Sequence, residues 1–262
     1  MQQLLPEAKP DLSNADLDAL YGWPNWPSPQ PWVRANMVST IDGAAASPDG
    51  LSEGISSPAD RRVFGRLRGL ADAVLVGAGT VRSEGYRPAR IKPDFADRRA
   101  AAGQGIVPAI AVVSRSLDLD LSLPLYTEPA VRTIVVTCAA ADPTLIDAAR
   151  EICDVEVCGD ESVDLSVAVA ALHHRGLSRI HSEGGPRLLA DLVAAEVLDE
   201  LLLTFSPTVA GGSFPNGADV PRILAGISNP SGLRAVRLHH LLEEDSILFA
   251  SYRFRPLPEQ NL

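Results

Sequence analysis

The 262-residue chain is 46% apolar and 21% charged, which is the composition of a folded protein with a substantial core rather than of a disordered one. Its 33 acidic and 23 basic residues give a formal charge of −10, so most of the surface repels phosphate backbones and anionic lipid. We therefore expect neither nucleic acid nor a membrane among its partners, and an anionic small ligand must be held by local arginines or by a helix N-terminus.

Cysteine usage and the N-terminal sequence predict a cytoplasmic protein. The three cysteines, Cys138, Cys153 and Cys158, form no Cys-x-x-Cys pair, so neither a disulfide framework nor a zinc ribbon is indicated, and Cys153 and Cys158 are expected to be buried thiols. The first 22 residues mix acidic residues with leucines and lack a secretory apolar region. Residues 1–30 are predicted as a Pro/Trp-rich extension, and residues 31–262 as a single domain.

The first predicted strand covers residues 32–38 and is followed by the Asp42-Gly43 turn. A polar loop to residue 56 precedes a helix with Ser57 as N-cap, Pro58 at its first position and an apolar face at residues 63, 64, 67 and 70. Asp60 projects into that face, where it either caps its own helix or serves a ligand cleft. Arg62 and Arg66 are predicted on the solvent side.

The rest of the chain alternates short apolar runs with helical patterns. Strands are predicted at residues 73–76, 110–114 and 133–137, with an Arg/Pro-rich loop among them, then near residue 155 and at 178–181 and 201–205. Helices are predicted at residues 143–151 and 165–174. After an Asn216-Gly217 turn, strand-like runs at 233–242 and 246–254 end the pattern. It predicts an α/β fold with a mostly parallel central sheet, flanking helices and antiparallel C-terminal strands.

Two glycine-rich turns each follow a predicted strand. Gly77-Ala78-Gly79-Thr80 begins like a dinucleotide fingerprint but has Arg82 where that motif needs a glycine. Glu183-Gly184-Gly185-Pro186 opens an amphipathic helix, whose exposed amides and dipole favour a diphosphate. Together the turns predict a nucleotide lying along one edge of the sheet.

Two other enzyme classes are disfavoured. Gly50-Leu51-Ser52-Glu53-Gly54 matches the Gly-x-Ser-x-Gly pattern of serine hydrolases, but neither a strand nor a helix adjoins it as a nucleophile elbow requires. The histidine pairs at 173–174 and 239–240 are predicted at the surface. Without His-x-Glu and Pro-Cys-x-x-Cys there is no zinc deaminase centre, and no metal is expected.

The motifs together resemble the pyrimidine reductase family of riboflavin biosynthesis, over residues 32–254. The motifs that carry the resemblance are Ser39-Thr40-Ile41-Asp42-Gly43, Ile55-Ser56-Ser57-Pro58, Leu67-Arg68, Gly77-Ala78-Gly79-Thr80-Val81, Glu183-Gly184-Gly185-Pro186 and Leu198-Asp199-Glu200-Leu201. The resemblance implies a dihydrofolate-reductase-like fold, a reductase domain over residues 31–262, NADPH as cofactor, and a homodimer. The reaction it implies is hydride transfer from the nicotinamide to C1′ of 5-amino-6-(5-phosphoribosylamino)uracil.

The resemblance also implies a cofactor site beside a substrate site. The cofactor residues would be Val38, Ser39, Gly54, Gly77, Thr80, Arg82, Glu84, Ser114, Arg115, Gly184, Gly185, Pro186, Arg187 and Leu188. Of these, Arg82, Ser114 and Arg115 are candidates for the adenosine 2′-phosphate. Ser52, Arg68 and Glu183 would meet the substrate, with Arg87 and Arg90 as candidates for its phosphate, and the catalytic candidates are Glu183, Asp42 and Asp60.

The sequence departs from the family beside the first glycine turn. After Thr80-Val81 the family usually has two aspartates, a proline and a Leu-Thr-x-Arg stretch, whereas this chain has Arg82-Ser83-Glu84-Gly85-Tyr86-Arg87-Pro88-Ala89-Arg90. Two other functions therefore stay open. One is dihydrofolate or pterin reduction, with Asp60 anchoring the ring, and the other is a non-catalytic nucleotide-binding regulator on the same fold.

Overall fold

The computed structural model describes residues 1–24, 30–90, 92–214, 217, 219–226 and 233–254, and these residues form one ten-stranded sheet with helices on both faces. The strands are β1 Gln2–Leu5, β2 Trp32–Thr40, β3 Ala73–Gly77, β4 Ala109–Val113, β5 Ile134–Thr137, β6 Asp154–Val157, β7 Arg179–Ser182, β8 Glu200–Ser206, β9 Arg237–Glu244 and β10 Ile247–Arg253. Their order across the sheet is β1-β9-β10-β8-β2-β7-β3-β4-β5-β6.

The helices are α1 Asn14–Leu20, α2 Pro58–Leu70, α3 Ala78–Ser83, α4 Pro93–Ala101, α5 Pro124–Thr127, α6 Pro143–Ile152, α7 Leu165–His174 and α8 Pro186–Ala194, with a 3-10 turn at Glu53–Ile55. The predicted start of α2 is confirmed, because the Asp60 amide donates to the Ser57 hydroxyl at 3.0 Å and Pro58 occupies the first turn.

Strand directions confirm the predicted fold class. The seven strands from β8 through β2 and β7 to β6 run parallel, whereas β10, β9 and β1 add an antiparallel edge. Successive side chains of a strand point to opposite faces of the sheet, so the core is divided between the two faces. Leu75 packs with α7 and α8 on one face, whereas Val74 and Val76 pack with residues of α5 and α6 on the other. A third cluster joins α1 and α2 to Leu202 and Leu242 of the sheet.

The residues predicted as an N-terminal extension contribute to the sheet and to the helical layer. β1 pairs with β9, and α1 packs against α2 through a buried ion pair between Asp18 and Arg66. The prediction that Arg66 lies on a solvated face is therefore wrong. Arg66 is 8% exposed, and Arg62 donates to the Leu12 carbonyl oxygen at 2.9 Å, because α1 covers the outer face of α2.

Two further predictions fail because tertiary contacts override the local pattern. Helix α4 lies in the segment predicted as an Arg/Pro-rich loop, anchored by the buried Phe95 under the Arg66 guanidinium. His240 is not at the surface but buried, since strand alternation on β9 turns it inward, and this burial lowers its pKa to about 4.

The other sequence predictions have simpler outcomes. All three cysteines are free and buried, as predicted for Cys153 and Cys158. The final strands begin later than predicted, at Arg237 and Ile247. The Asn216 turn residue and Trp26 lie outside the described residues. Among the described residues, none of the helices is both long enough and apolar enough to cross a membrane.

Candidate active site

A cleft of about 470 Å³ opens where α2, the end of β2, the segment after α3 and the β7–α8 turn meet. Its position at the carboxyl ends of parallel strands is the usual place for a ligand in an open α/β sheet. Nine predicted site residues line it, namely Val38, Ser52, Asp60, Arg68, Thr80, Glu84, Arg87, Glu183 and Pro186. Some residues predicted for the cofactor and some predicted for the substrate, which lie far apart in the chain, thus share one cavity.

An ion pair between α2 and the end of β7 forms the base of the cleft. The Arg68 Nε atom donates to Glu183 Oε1 at 2.5 Å, and Nη2 donates to Oε2 at 2.6 Å. The Tyr86 hydroxyl also donates to Glu183 Oε2. Because the Glu183 side chain is only 3% exposed, burial raises its pKa, and the charge of Arg68 opposes that shift. The charge of Arg68 is therefore neutralised within the protein rather than free for a ligand.

Aromatic rings hold the Arg68 guanidinium in place. Its central carbon lies 4.6 Å from the centroid of the Phe64 ring and 4.9 Å from that of Tyr86. Behind the pair, His181 is fully buried, and its Nε2 atom lies 3.7 Å from Glu183 Oε1. Burial and the nearby arginines hold the pKa of His181 well below its ordinary value, so the imidazole is neutral.

Asp60 faces the cleft instead of capping its own helix through its carboxylate. Its Oδ2 atom accepts from the Ser56 hydroxyl at 2.6 Å, and its Oδ1 atom accepts from the Thr204 hydroxyl at 2.7 Å. The helix cap is made by Ser57, to which only the Asp60 amide contributes. Asp60 thus joins α2 to β8 at the wall of the cleft, with one hydroxyl donor on each oxygen.

The two glycine turns lie side by side at the ends of β3 and β7. The Gly77 amide donates to the Gly184 carbonyl oxygen at 2.8 Å, and a Cβ atom at Gly185 would lie 2.8 Å from the Thr80 hydroxyl oxygen. A Cβ atom at Gly79 would meet nothing within 4 Å. Helix α8 has no side-chain cap, because its N-cap residue is Gly185, so the first backbone amides of α8 are open to an anionic group. These features fit the diphosphate of a dinucleotide.

The loop between β2 and α2 is fixed to the segment after α3. The Ser52 amide donates to Glu84 Oε1 at 3.0 Å. Gly54 packs so closely on Ser47 that a Cβ atom would lie 2.3 Å from the Ser47 hydroxyl oxygen. Ser52 is followed by a 3-10 turn and not by an α-helix, so the loop differs from a hydrolase nucleophile elbow.

The other predicted site residues do not line the cleft. They are Ser39, Asp42, Gly54, Gly77, Arg82, Arg90, Ser114, Arg115, Gly184, Gly185, Arg187 and Leu188. Asp42 accepts from the amides of Ala210 and Gly211, a structural role, and the Thr40 hydroxyl lowers its pKa to about 2. Arg82, in the last turn of α3, donates to the Asp118 carbonyl oxygen at 2.6 Å. Arg115, which follows β4, donates to the Glu161 carbonyl oxygen at 2.9 Å.

The lining residues that were not predicted as site residues include Arg61, Phe64 and Tyr86. Within the described part of the chain, the side chains of Arg61 and Arg87 make no hydrogen bond or ion pair. Their positive charges are therefore available to a ligand in the cleft. Tyr86 has a weak sequence signal, since Gly85-Tyr86-Arg87-Pro88 follows the first glycine turn closely. Arg61 lies seven residues before Arg68 and therefore on the same face of α2, a spacing that could have identified it.

Comparisons with known proteins agree with this geometry. The model of the RibD C-terminal domain family matches residues 31–227. The 2,5-diamino-6-ribosylamino-4(3H)-pyrimidinone 5′-phosphate reductase of Archaeoglobus fulgidus is 28% identical over 183 residues, or 70% of this chain and 83% of that protein. A pyrimidine reductase-like protein from Corynebacterium diphtheriae superposes with a TM-score of 0.76 at 27% identity, covering 86% of this chain and 92% of the other. The riboflavin biosynthesis reductase of Saccharomyces cerevisiae, at 16% identity and a TM-score of 0.63, shares the fold over 91% of this chain and 98% of its own.

Proposed function

The chain belongs to the RibD C-terminal domain family, as its motifs suggested, and from that premise we propose that it reduces a ribosylaminopyrimidine 5′-phosphate with NADPH. The observation that carries the proposal is the shared cleft, in which the Arg68–Glu183 pair lies beside the two glycine turns. A bound NADPH would supply the hydride for C1′ of the sugar, and the protein's part is to align the two ligands.

The glycine turns support a nicotinamide dinucleotide as cofactor. The open amides at the start of α8 and the free space at Gly79 suit the diphosphate, with Thr80 beside it. Arg82 and Arg115 lie at the ends of α3 and β4, where they would read an adenosine 2′-phosphate and favour NADPH over NADH. Competitive titration of the two cofactors tests this preference, and equal affinities would contradict it.

Arg61 and Arg87 suit the phosphate of the substrate better than Arg68 does. Both are exposed, line the cleft and have no partner among the described residues, whereas Arg68 is held by Glu183. One charge-assisted hydrogen bond contributes about 1.5–3 kcal/mol, so each Arg→Ala variant should raise KM by roughly 10- to 100-fold. With a dephosphorylated substrate, the same variants should differ little from the wild type.

Reduction of dihydrofolate or another pterin is the weaker alternative. Asp60 lines the cleft, but both of its carboxylate oxygens already accept hydrogen bonds from Ser56 and Thr204. The named relative from Archaeoglobus fulgidus acts on a ribosylaminopyrimidine, which favours the pyrimidine as substrate. The homodimer and the cytoplasmic location implied at the sequence level stay predictions.

The test is NADPH oxidation followed by absorbance. The candidate substrates are 5-amino-6-(5-phosphoribosylamino)uracil, its 2,5-diamino-pyrimidinone counterpart, dihydrofolate, and a blank without substrate. The proposal predicts turnover with a ribosylaminopyrimidine phosphate, and comparison of the first two compounds shows whether C2 carries oxygen or an amino group. If only dihydrofolate is turned over, the protein is a pterin reductase and the proposal is wrong. NADPH binding without any turnover would indicate a non-catalytic regulator.

A further inference from the structure

We propose that Tyr86 delivers the proton that opens the ribose ring, with Glu183 behind it as the proton source. The inference rests on the proposed function and concerns the proton that reduction of a ribosylamine needs in addition to the hydride. When the bond between C1′ and the ring oxygen O4′ breaks, O4′ keeps the electron pair and must take up a proton.

Tyr86 and Glu183 are in contact, and both line the cleft. Glu183 is 3% exposed at its side chain, and Arg68 donates to both of its oxygens. The Tyr86 hydroxyl makes the further contact, at Oε2, and Tyr86 itself lines the cleft. A proton can therefore pass directly from Oε2 to the phenol oxygen, and Tyr86 belongs to the wall of the cavity in which the sugar is proposed to bind.

The phenol is also held in place. The Arg68 guanidinium lies over the Tyr86 ring at 4.9 Å and over the Phe64 ring at 4.6 Å, so the two rings and the ion pair form one packed group. A proton donor whose position is fixed by its neighbours loses little entropy when the substrate arrives. Replacing Tyr86 by phenylalanine removes the proton and keeps this stacking.

The surroundings of Glu183 suit a carboxyl group that takes up and releases a proton. The ionisable groups that face it are Arg68 from α2, Tyr86 from the segment after α3, and His181 from β7, whose Nε2 atom is 3.7 Å away. Burial raises the pKa of Glu183, which favours the protonated acid, and Arg68 favours the carboxylate. His181 is held neutral by burial and does not compete as a proton source.

The C1′–O4′ bond breaks, O4′ takes the Tyr86 proton and becomes the 4′-hydroxyl, and the Glu183 acid reprotonates the phenol oxygen. C1′ is reduced by the two electrons of the hydride, the dinucleotide is oxidised, and the pyrimidine-bound nitrogen stays attached to C1′. The protein is left with an ionised Glu183 that is paired with Arg68 and accepts from Tyr86, which is the arrangement observed. A proton from solvent restores the acid before the next turnover.

The experiment compares Tyr86→Phe, Glu183→Gln and the double variant by steady-state kinetics across pH. Because general acid catalysis is worth about 10²- to 10⁴-fold, Tyr86→Phe should lower kcat by at least about 100-fold while the KM for NADPH stays unchanged. The wild-type rate should fall as pH rises, since the acid form of Glu183 is lost, and both single variants should lose that dependence. If the two residues act as one relay, the double variant should be no slower than the slower single variant.

Tyr126→Phe is the matched control, since that tyrosine does not line the cleft and its buried hydroxyl has no partner among the described residues. It should leave kcat unchanged. Infrared spectroscopy of the ligand-free protein across pH supplies a second readout: a carboxylic acid band that grows as the pH falls should be absent in Glu183→Gln and shifted in Tyr86→Phe.

A Tyr86→Phe enzyme within threefold of the wild-type kcat, or losses that multiply in the double variant, would overturn the relay and leave the proposed reductase intact. A wild-type enzyme that does not turn over any ribosylaminopyrimidine phosphate would overturn both. A Tyr86→Phe enzyme with raised KM and unchanged kcat would make Tyr86 a binding residue only and would also overturn the relay.

Discussion

Removing Arg68 should destabilise the protein in a pH-dependent way. In Arg68→Ala the Glu183 carboxylate stays buried but loses both guanidinium hydrogen bonds. Breaking a buried ion pair by deleting one partner costs about 3–5 kcal/mol, because the remaining charge is uncompensated. For a chain of this size, each kcal/mol lowers the melting temperature by about 2–4 °C, so the expected decrease is roughly 6–20 °C.

The sign of the pH dependence follows from the pKa of Glu183. Burial already raises that pKa in the wild type, and without Arg68 the charge that opposes the shift is lost. When the pKa of an acid is higher in the folded than in the unfolded state, its ionised form destabilises the folded state. The full loss of stability is present at pH values above the folded-state pKa, and it is absent at pH values below the unfolded-state pKa. The stability difference between the wild type and Arg68→Ala should therefore be large near pH 8 and small near pH 4.

Urea denaturation of both proteins at the two pH values measures this difference. Arg68→Ala/Glu183→Gln should recover most of the loss at pH 8, because the buried charge is gone. Arg87→Ala is the control for a cleft arginine without a partner in the described chain, and it should change stability by less than about 0.5 kcal/mol. A loss in Arg68→Ala that is below about 1 kcal/mol, or equal at both pH values, would refute the buried ion pair.

Three further predictions concern the fold and the cofactor turn. Gly69→Ala should lower the free energy of unfolding by about 1–3 kcal/mol, since its Cβ atom would lie 2.4 Å from the Phe95 ring, and an unchanged urea midpoint would contradict the packing of α2 on α4. Ser13→Ala should cost about 1 kcal/mol by removing the capping box of α1, measured in the same way, and no loss would mean that the cap contributes nothing. Gly79→Val should keep the wild-type melting temperature but weaken NADPH binding at least tenfold in a fluorescence titration. The control is Gly212→Val, whose side chain also enters open space. Unchanged NADPH affinity in Gly79→Val would contradict the proposed cofactor position.

The central strands could be predicted because each is a short apolar run bounded by turn residues. β3 and β7 end in the two glycine turns, and their predicted positions agree with the structure within two residues. Helix α4 could not be predicted in this way, since its buried anchors are one phenylalanine and Arg99, whose guanidinium donates to the carbonyl oxygens of Gly69 and Ala71. These contacts depend on tertiary neighbours that no local pattern reveals.

The site shows the same division between local and long-range information. The motifs named Arg68 and Glu183 individually, but the two lie 115 residues apart, and their pairing appears only when α2 is placed against β7. The sequence predicted Arg68 and Arg87 as substrate residues, but only the fold shows that Arg68 is paired with Glu183 and that Arg61 lines the same cleft. Tyr86 escaped notice because it occupies the stretch where the chain departs from the family pattern.

In the proposed reaction, the cleft brings C4 of a nicotinamide ring to C1′ of a ribosylaminopyrimidine phosphate. The most direct measurement uses NADPH labelled with deuterium at the transferred C4 position, followed by mass spectrometry and NMR of the product. The product should be a ribitylaminopyrimidine phosphate with one deuterium, at C1′. Unlabelled product, or deuterium at any other carbon, would contradict it.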